Sequence, residues 1–339
     1  MTILFAANEF ESFTTIGGTV DSSATENDAD FQRAQILVLS GTSSDGVTNP
    51  RNGAVAVLDG AQPTDVWIHF VTTFPPLGSS TDRQFFECRD EVNDLGIFRF
   101  DQENGSLEFE VNVSGSYVNQ GVSFGLPSDS EMQVDVHLVI NGDGTGTIDV
   151  FFDKISIANY SGNIDSSIAG LGALLFTSVR PGGNETTNGQ GFRELIVADE
   201  QTTEMRVATL EITGAGTENT WSGGAVTDIN AVTLDDLAVL ASDTAGQRAA
   251  FTLGDLTATA QGLTPLAVCV GARGRNSGGG PTGVQMGLKT GSGDVLNAAQ
   301  TLGAGFGRHY EVYETNLATA LEWTIADING MELLLVSAA

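Results

Sequence analysis

Residues able to do chemistry are scattered along this chain rather than gathered into one motif. Gly121-Val122-Ser123-Phe124-Gly125 has the letters of a nucleophile elbow. That device needs a helix after its serine, and Pro127 with Ser128-Asp129-Ser130 reads as a turn instead. Of the three histidines, His137 falls inside a strand pattern and His69 precedes the serine, which leaves only His309 in the usual chain order. Glu87-Cys88-Arg89-Asp90-Glu91 places Glu87, Arg89 and Glu91 on one strand face by the period of two. Paired carboxylates of that kind serve glycoside hydrolysis. The Glu-x-Asp-x-x-Glu arrangement common in sandwich glycanases is missing, so the expected reading is a solvated strand edge. Asn141, Asp143 and Thr145 imitate the start of a calcium loop, but Phe152 holds the twelfth position, where a bidentate Glu is required. A hairpin turn accounts for them. The histidines lack metal-ligand spacing, Gly303-Ala304-Gly305-Phe306-Gly307 lacks dinucleotide spacing, and neither Lys154 nor Lys289 follows a glycine. No catalytic residue, metal or cofactor is therefore expected, and the expected function is non-enzymatic.

Charge excludes further classes. Acids number 43 against 14 bases, giving a formal net charge of −29. Nucleic-acid binding depends on Lys and Arg displacing counterions from phosphates, so no nucleic-acid partner is expected. Cys88 and Cys269 are the only cysteines and lie far apart, which does not indicate a disulfide framework. The N-terminus lacks a basic start and turns acidic at Glu9, so no signal peptide is expected. No apolar run approaches the roughly 20 residues of a membrane helix, and no membrane insertion is expected.

The elements that must position these residues read as short strands. Val66 to Phe70, Ile97 to Phe100, Leu107 to Val111 and Phe192 to Val197 alternate in polarity between Gly, Asn, Asp and Ser clusters. Val134 to Ile140 and Thr147 to Phe152 flank a Gly/Asn/Asp turn and predict an antiparallel hairpin, with Ile155 to Ile157 as the next strand. The segments 14–30, 41–53 and 277–283 read as loops. Farther on, strands are expected at Val207 to Ile212, Phe251 to Leu253, Leu266 to Gly271 and Val284 to Leu288. Thr324 and Asp327 have capping-box spacing, which predicts a short helix before a buried terminal strand, Met331 to Val336. The class is all-β: two β-sandwich, jelly-roll domains with a short C-terminal helix and strand, residues 1–200 forming the first and 201–339 a smaller second.

The hairpin and the strand after it resemble the central hairpin of concanavalin A-like and laminin-G-like lectin sandwiches. Glu194 to Asp199, Thr202-Thr203 and Met205 to Val207 resemble the last lectin-like strand and its exit in a group of tailed-phage virion proteins. Trp221 with Gly223, Asp228 to Asn230, Asp243 to Gly246 and Ala267 to Arg273 continue that resemblance. The C-terminal stretch is similar to that group's ending: Tyr313, Thr315-Asn316, Ala318-Thr319, Trp323-Thr324 and Asp327 to Asn329, with Leu317 where the group usually has proline. The resemblance implies a structural virion protein, a capsid decoration, head fibre or tail-associated part. It also implies other virion proteins as partners, a symmetric homo-oligomer such as a trimer, and a place on the particle. A receptor- or host-glycan-binding module is the alternative it leaves, with a glycoside hydrolase behind that. Sugar sites commonly stack an aromatic ring, and Trp221 is the only Trp in a loop-like setting, which makes it the candidate ligand-binding residue.

Overall fold

The computed structural model describes residues 1–7, 14–16, 19–21, 37–42, 53–58, 62–73, 83–103, 106–124, 131–180, 190–229 and 237–339. They form two compact units that divide between Val207 and Ala208. The expected boundary lay a few residues earlier.

The first unit contains β1 (Ile3–Ala7), β2 (Thr14–Ile16), β3 (Thr19–Asp21), β4 (Leu37–Thr42), β5 (Gly53–Val57), β6 (Asp65–Thr73), β7 (Arg83–Asp90) and β8 (Leu95–Glu103). It continues with β9 (Ser106–Val113), β10 (Ser116–Phe124), β11 (Glu131–Ile140), β12 (Thr145–Phe152), β13 (Ile155–Asn163), β14 (Ala173–Arg180) and β15 (Gln190–Ala198). One sheet runs β13-β12-β11-β6-β15, with β1 and β4 on the far edge of β15 and β3 beyond β4. The other runs β10-β9-β8-β7-β14-β5-β2. A short parallel pairing of β14 with β4 joins the two, while the remaining pairs of this unit are antiparallel.

Phenylalanines hold the sheets together. Phe70 of β6 lies 4.8 Å from Phe86 of β7 and 5.3 Å from Phe176 of β14, and Phe100 of β8 lies 6.1 Å from Phe152 of β12. Offset and edge contacts at these distances suit the ring quadrupoles. Alternation fixes the register, since β12 buries every second residue and a slip of one would turn Ile148, Val150 and Phe152 outward. The predicted hairpin is present, pairing Val134 with Phe152 through Ile140 with Gly146.

The second unit contains β16 (Ile212–Asn219), β17 (Arg248–Leu253), β18 (Val268–Gly274), β19 (Gly283–Thr290), β20 (Gly293–Leu296), β21 (Gln300–Thr301), β22 (Gly307–Tyr313), α1 (Ile325–Asn329) and β23 (Glu332–Ala338). Its sheet runs β16-β17-β23-β19-β20, with β21 beside β19, and β18 pairs with β22 as a two-stranded ribbon. Val270 and Tyr313 of the ribbon share a core with Phe251, Met286, Leu288 and Leu335 of the sheet. A ribbon over one sheet thus stands where a second full sandwich was expected. Residues 207–211 are not a strand, and β16 starts where that expected strand ends. The C-terminal helix has its predicted cap: Thr324 Oγ1 accepts from Asp327 N at 3.1 Å, and Asp327 Oδ2 accepts from Thr324 N at 3.1 Å. The terminal strand lies inside the sheet between β17 and β19, which buries Leu334, Leu335 and Val336.

The expected loops at 14–30 and 41–53 contain β2, β3, the end of β4 and the start of β5, and their other residues lie outside the described set. Cys88 is buried, Cys269 is half-buried, and both are free thiols. No helix among the described residues is long and apolar enough to cross a membrane.

Candidate functional site

The site is a polar face on strands β7 to β10. In these strands one set of alternating residues, including Phe86, Phe98, Phe100, Phe109 and Val111, enters the sandwich core. The other set carries Glu87 and Arg89 on β7, Arg99 and Asp101 on β8, Glu108, Glu110 and Asn112 on β9, and Tyr117 and Asn119 on β10. Pairing of β9 with β10 sets Tyr117 opposite Asn112, and pairing of β7 with β8 sets Glu87 opposite Arg99.

Tyr117 reaches from β10 to β7. Its hydroxyl donates to Glu87 Oε1 at 2.5 Å. Gly96 makes that span possible, because a Cβ built there would stand 1.7 Å from the Tyr117 hydroxyl and 2.2 Å from Glu87 Oε1. Arg99 lies 4.1 Å over the Tyr117 ring and holds Glu110 at 2.5 Å and Asp101 at 3.1 Å. Arg89 donates to the same Glu87 oxygen at 2.9 Å and to Asp94 at 2.8 Å. Beneath, Asn112 Nδ2 donates to Gly96 O at 2.7 Å, and Asn119 donates to Glu108.

These contacts set protonation. Burial, and after it the charge of Glu87, pushes the Tyr117 pKa well above its ordinary value, so the phenol keeps its proton at neutral pH. Burial works against the Arg89 charge, yet Glu87, Tyr117 and Asp94 together raise its pKa above the ordinary value. Chemically, the arrangement offers a phenolic proton donor, a carboxylate able to share that proton, and a rim of carboxylate acceptors.

Sequence reasoning found half of this face. Glu87 and Arg89 lie on one side of β7 as the period of two required, while Glu91 falls in the following turn, 3.8 Å from Arg89 Nε. The solvated-edge reading of Glu87 is corrected by the topology: β7 runs between β8 and β14, and Glu87 is 4% exposed. Tyr117, Arg99 and Asn112 carry no local signature of a common site, since they meet Glu87 only through pairing across four strands. The Ser-Tyr-Val-Asn alternation of β10 was the one local signal available.

The other candidates lie elsewhere. Ser123 pairs with Glu108 near the end of β10, and residues 125–130, where an elbow would need its helix, are outside the described set. His69 is buried and bonds Asp135 Oδ1 at 2.9 Å, alongside the Thr202 hydroxyl at 2.9 Å. His137 stacks on Trp67 at 4.5 Å and bonds Asp65 at 2.9 Å, and His309 bonds Gln300 at 3.0 Å. Asp143 accepts from Thr145 N at 3.0 Å and from its hydroxyl at 2.6 Å, as a hairpin turn requires. Among the described residues no group of three or more His, Cys, Asp or Glu is placed to hold a metal ion. Trp221 lies half-buried against the core of the second unit, donating from Nε1 to Gln247 O at 3.2 Å.

No protein-family model matches the chain, and no curated protein matches it in sequence. Solved structures do resemble it. An endo-beta-1,4-glucuronan lyase from the fungus Trichoderma reesei is 13% identical over 59% of this chain and 96% of that one, with a TM-score of 0.43. The marine PL-14 alginate lyase from Aplysia kurodai is 12% identical over 58% and 99%, with a TM-score of 0.40. The receptor binding domain of botulinum neurotoxin C/D mosaic serotype is 8% identical over 74% and 70%, with a TM-score of 0.39. This finding overturns the expectation of a non-enzymatic virion component: two of the three folds are those of polysaccharide lyases and none is a phage protein. At such identities and scores the likenesses concern architecture, and function rests on this chain's own residues.

Proposed function

We propose that the chain is carbohydrate-active, holding a polysaccharide against the outer face of β7 to β10 and cleaving a glycosidic bond with proton donation from Tyr117. The observation that carries this reading is the 2.5 Å bond between the Tyr117 hydroxyl and Glu87 Oε1, built across four strands over the bare backbone of Gly96. As the glycosidic C–O bond breaks, the leaving oxygen takes the phenolic proton, water adds its hydroxyl to the anomeric carbon, and the remaining water proton restores the phenol; a positioned acid of this kind contributes typically about 10² to 10⁴ in rate. Tyr117 keeps its proton until substrate arrives, and Glu87 is placed to exchange it. Arg99 fixes the phenol ring from above, and Arg89 fixes the carboxylate.

The test is release of new reducing ends from a panel of soluble polysaccharides, neutral and uronate alike. Tyr117→Phe should lower the rate by about 10²-fold or more while the melting temperature moves by only a few degrees. Absence of any release above a heat-killed control, or a Tyr117→Phe variant as fast as the parent, overturns the reading.

A further inference from the structure

The charge and hydrogen-bond inventory of this face specifies its ligand more narrowly. We infer that the polysaccharide is uncharged and hydroxyl-rich, and that the site discriminates against polyuronates; this rests on the reading of the face as a saccharide site. Around Tyr117 stand the carboxyl groups of Glu87, Glu91, Asp94, Asp101, Glu108 and Glu110, against the guanidinium groups of Arg89 and Arg99. Both guanidinium groups are already engaged: Arg89 with Glu87 and Asp94, Arg99 with Glu110 and Asp101. A uronate carboxylate entering here must displace one of those acids and then sit among the others. Like charges at such spacing repel, and the surrounding protein, at −29, adds a long-range field of the same sign.

A second, independent feature points the same way. Asn112 is 4% exposed, spends its amide N–H on Gly96 O, and leaves its Oδ1 buried without a hydrogen-bond partner. It lies in register with Tyr117, at the floor of the face. A buried acceptor lacking a donor is costly unless something supplies one. A sugar hydroxyl supplies an O–H, whereas a carboxylate brings only further acceptors. Along the rim, Glu108, Glu110 and Asp101 likewise present acceptor oxygens, which suit a sugar's hydroxyl donors.

The experiment is a binding comparison on the full chain at low and at high salt, with a neutral gluco- or manno-oligosaccharide set against an oligouronate of equal length. The neutral ligand should bind at least about tenfold tighter at low salt, and added salt should narrow the gap by screening the repulsion. In the double variant Glu91→Gln, Glu108→Gln the preference should shrink severalfold. An oligouronate bound as tightly as the neutral sugar at low salt, with binding lost in Tyr117→Phe, overturns the selectivity and leaves the saccharide reading standing. Binding of neither ligand overturns the reading itself.

Discussion

Replacing Gly96 by alanine tests the architecture of the site without removing any of its functional groups. The new methyl would stand 1.7 Å from the Tyr117 hydroxyl, 2.2 Å from Glu87 Oε1 and 2.8 Å from Tyr117 Cζ, so the phenol must leave. The half-exposed tyrosine can swing outward, and the cost is then the bond it abandons. A hydrogen bond to a charged group contributes about 1.5 to 3 kcal/mol, and the Arg99 contact over the ring about 0.5 to 1 kcal/mol. Glu87 Oε1 must shift as well, and the Arg89 guanidinium that donates to it can follow, which limits the loss. Alanine in a strand interior regains about 0.5 to 1 kcal/mol over glycine. The expected outcome is a first unit less stable by about 1 to 3 kcal/mol in urea unfolding, with an unchanged m-value. Polysaccharide cleavage should fall to the level of Tyr117→Phe, and combining the two changes should cost little more, because both remove one proton donor from one place. A Gly96→Ala protein with parental stability and full activity would refute the reasoning, since the phenol could not then be where activity requires it.

Three further outcomes follow from the contacts. Glu194 is fully buried with a bidentate bond to Arg206 at 2.5 and 2.8 Å, so Arg206→Leu should destabilise the first unit by about 3 kcal/mol, read from the urea midpoint. Burial works against the Asp90 carboxylate, but bonds from Ala169 N, Asn93 and Gln62 hold its pKa below the ordinary value. A depressed folded pKa gives stability that is present above the unfolded value of about 3.9 and is lost as pH falls through the folded one. Thermal melts between about pH 5 and pH 2 should therefore show a decline that Asp90→Asn flattens. Thr324→Ala removes the cap of α1 and should cost the second unit about 1 kcal/mol, seen as a lower melting temperature for that unit alone.

What was legible in the sequence is what chain-local chemistry dictates. Alternation gave β6, β9, β11 and β12, the Asn-Gly-Asp-Gly turn gave the hairpin, and Thr324 with Asp327 gave the helix start. The face on β7 to β10 was only half visible, because Glu87 and Arg89 are two residues apart while Tyr117 is 30 residues from Glu87 and meets it by sheet order. Nothing local in Leu95-Gly96-Ile97 says that Gly96 lies beneath a tyrosine. The terminal strand likewise reads as a closing element, yet it enters the middle of its sheet, which is a matter of topology and not of composition.

Among the described residues, β10 pairs on one side only, and its register with β9 shifts between Asn119 and Ser123, where Gly121 takes a positive φ. The proton donor therefore rides on the outermost and most easily peeled strand, while its acceptor sits on β7, enclosed on both sides. Warming such a sheet loosens the rim first. The phenol and carboxylate should part company while the phenylalanine interior is still intact, so catalytic output should fade several degrees before calorimetry registers any unfolding.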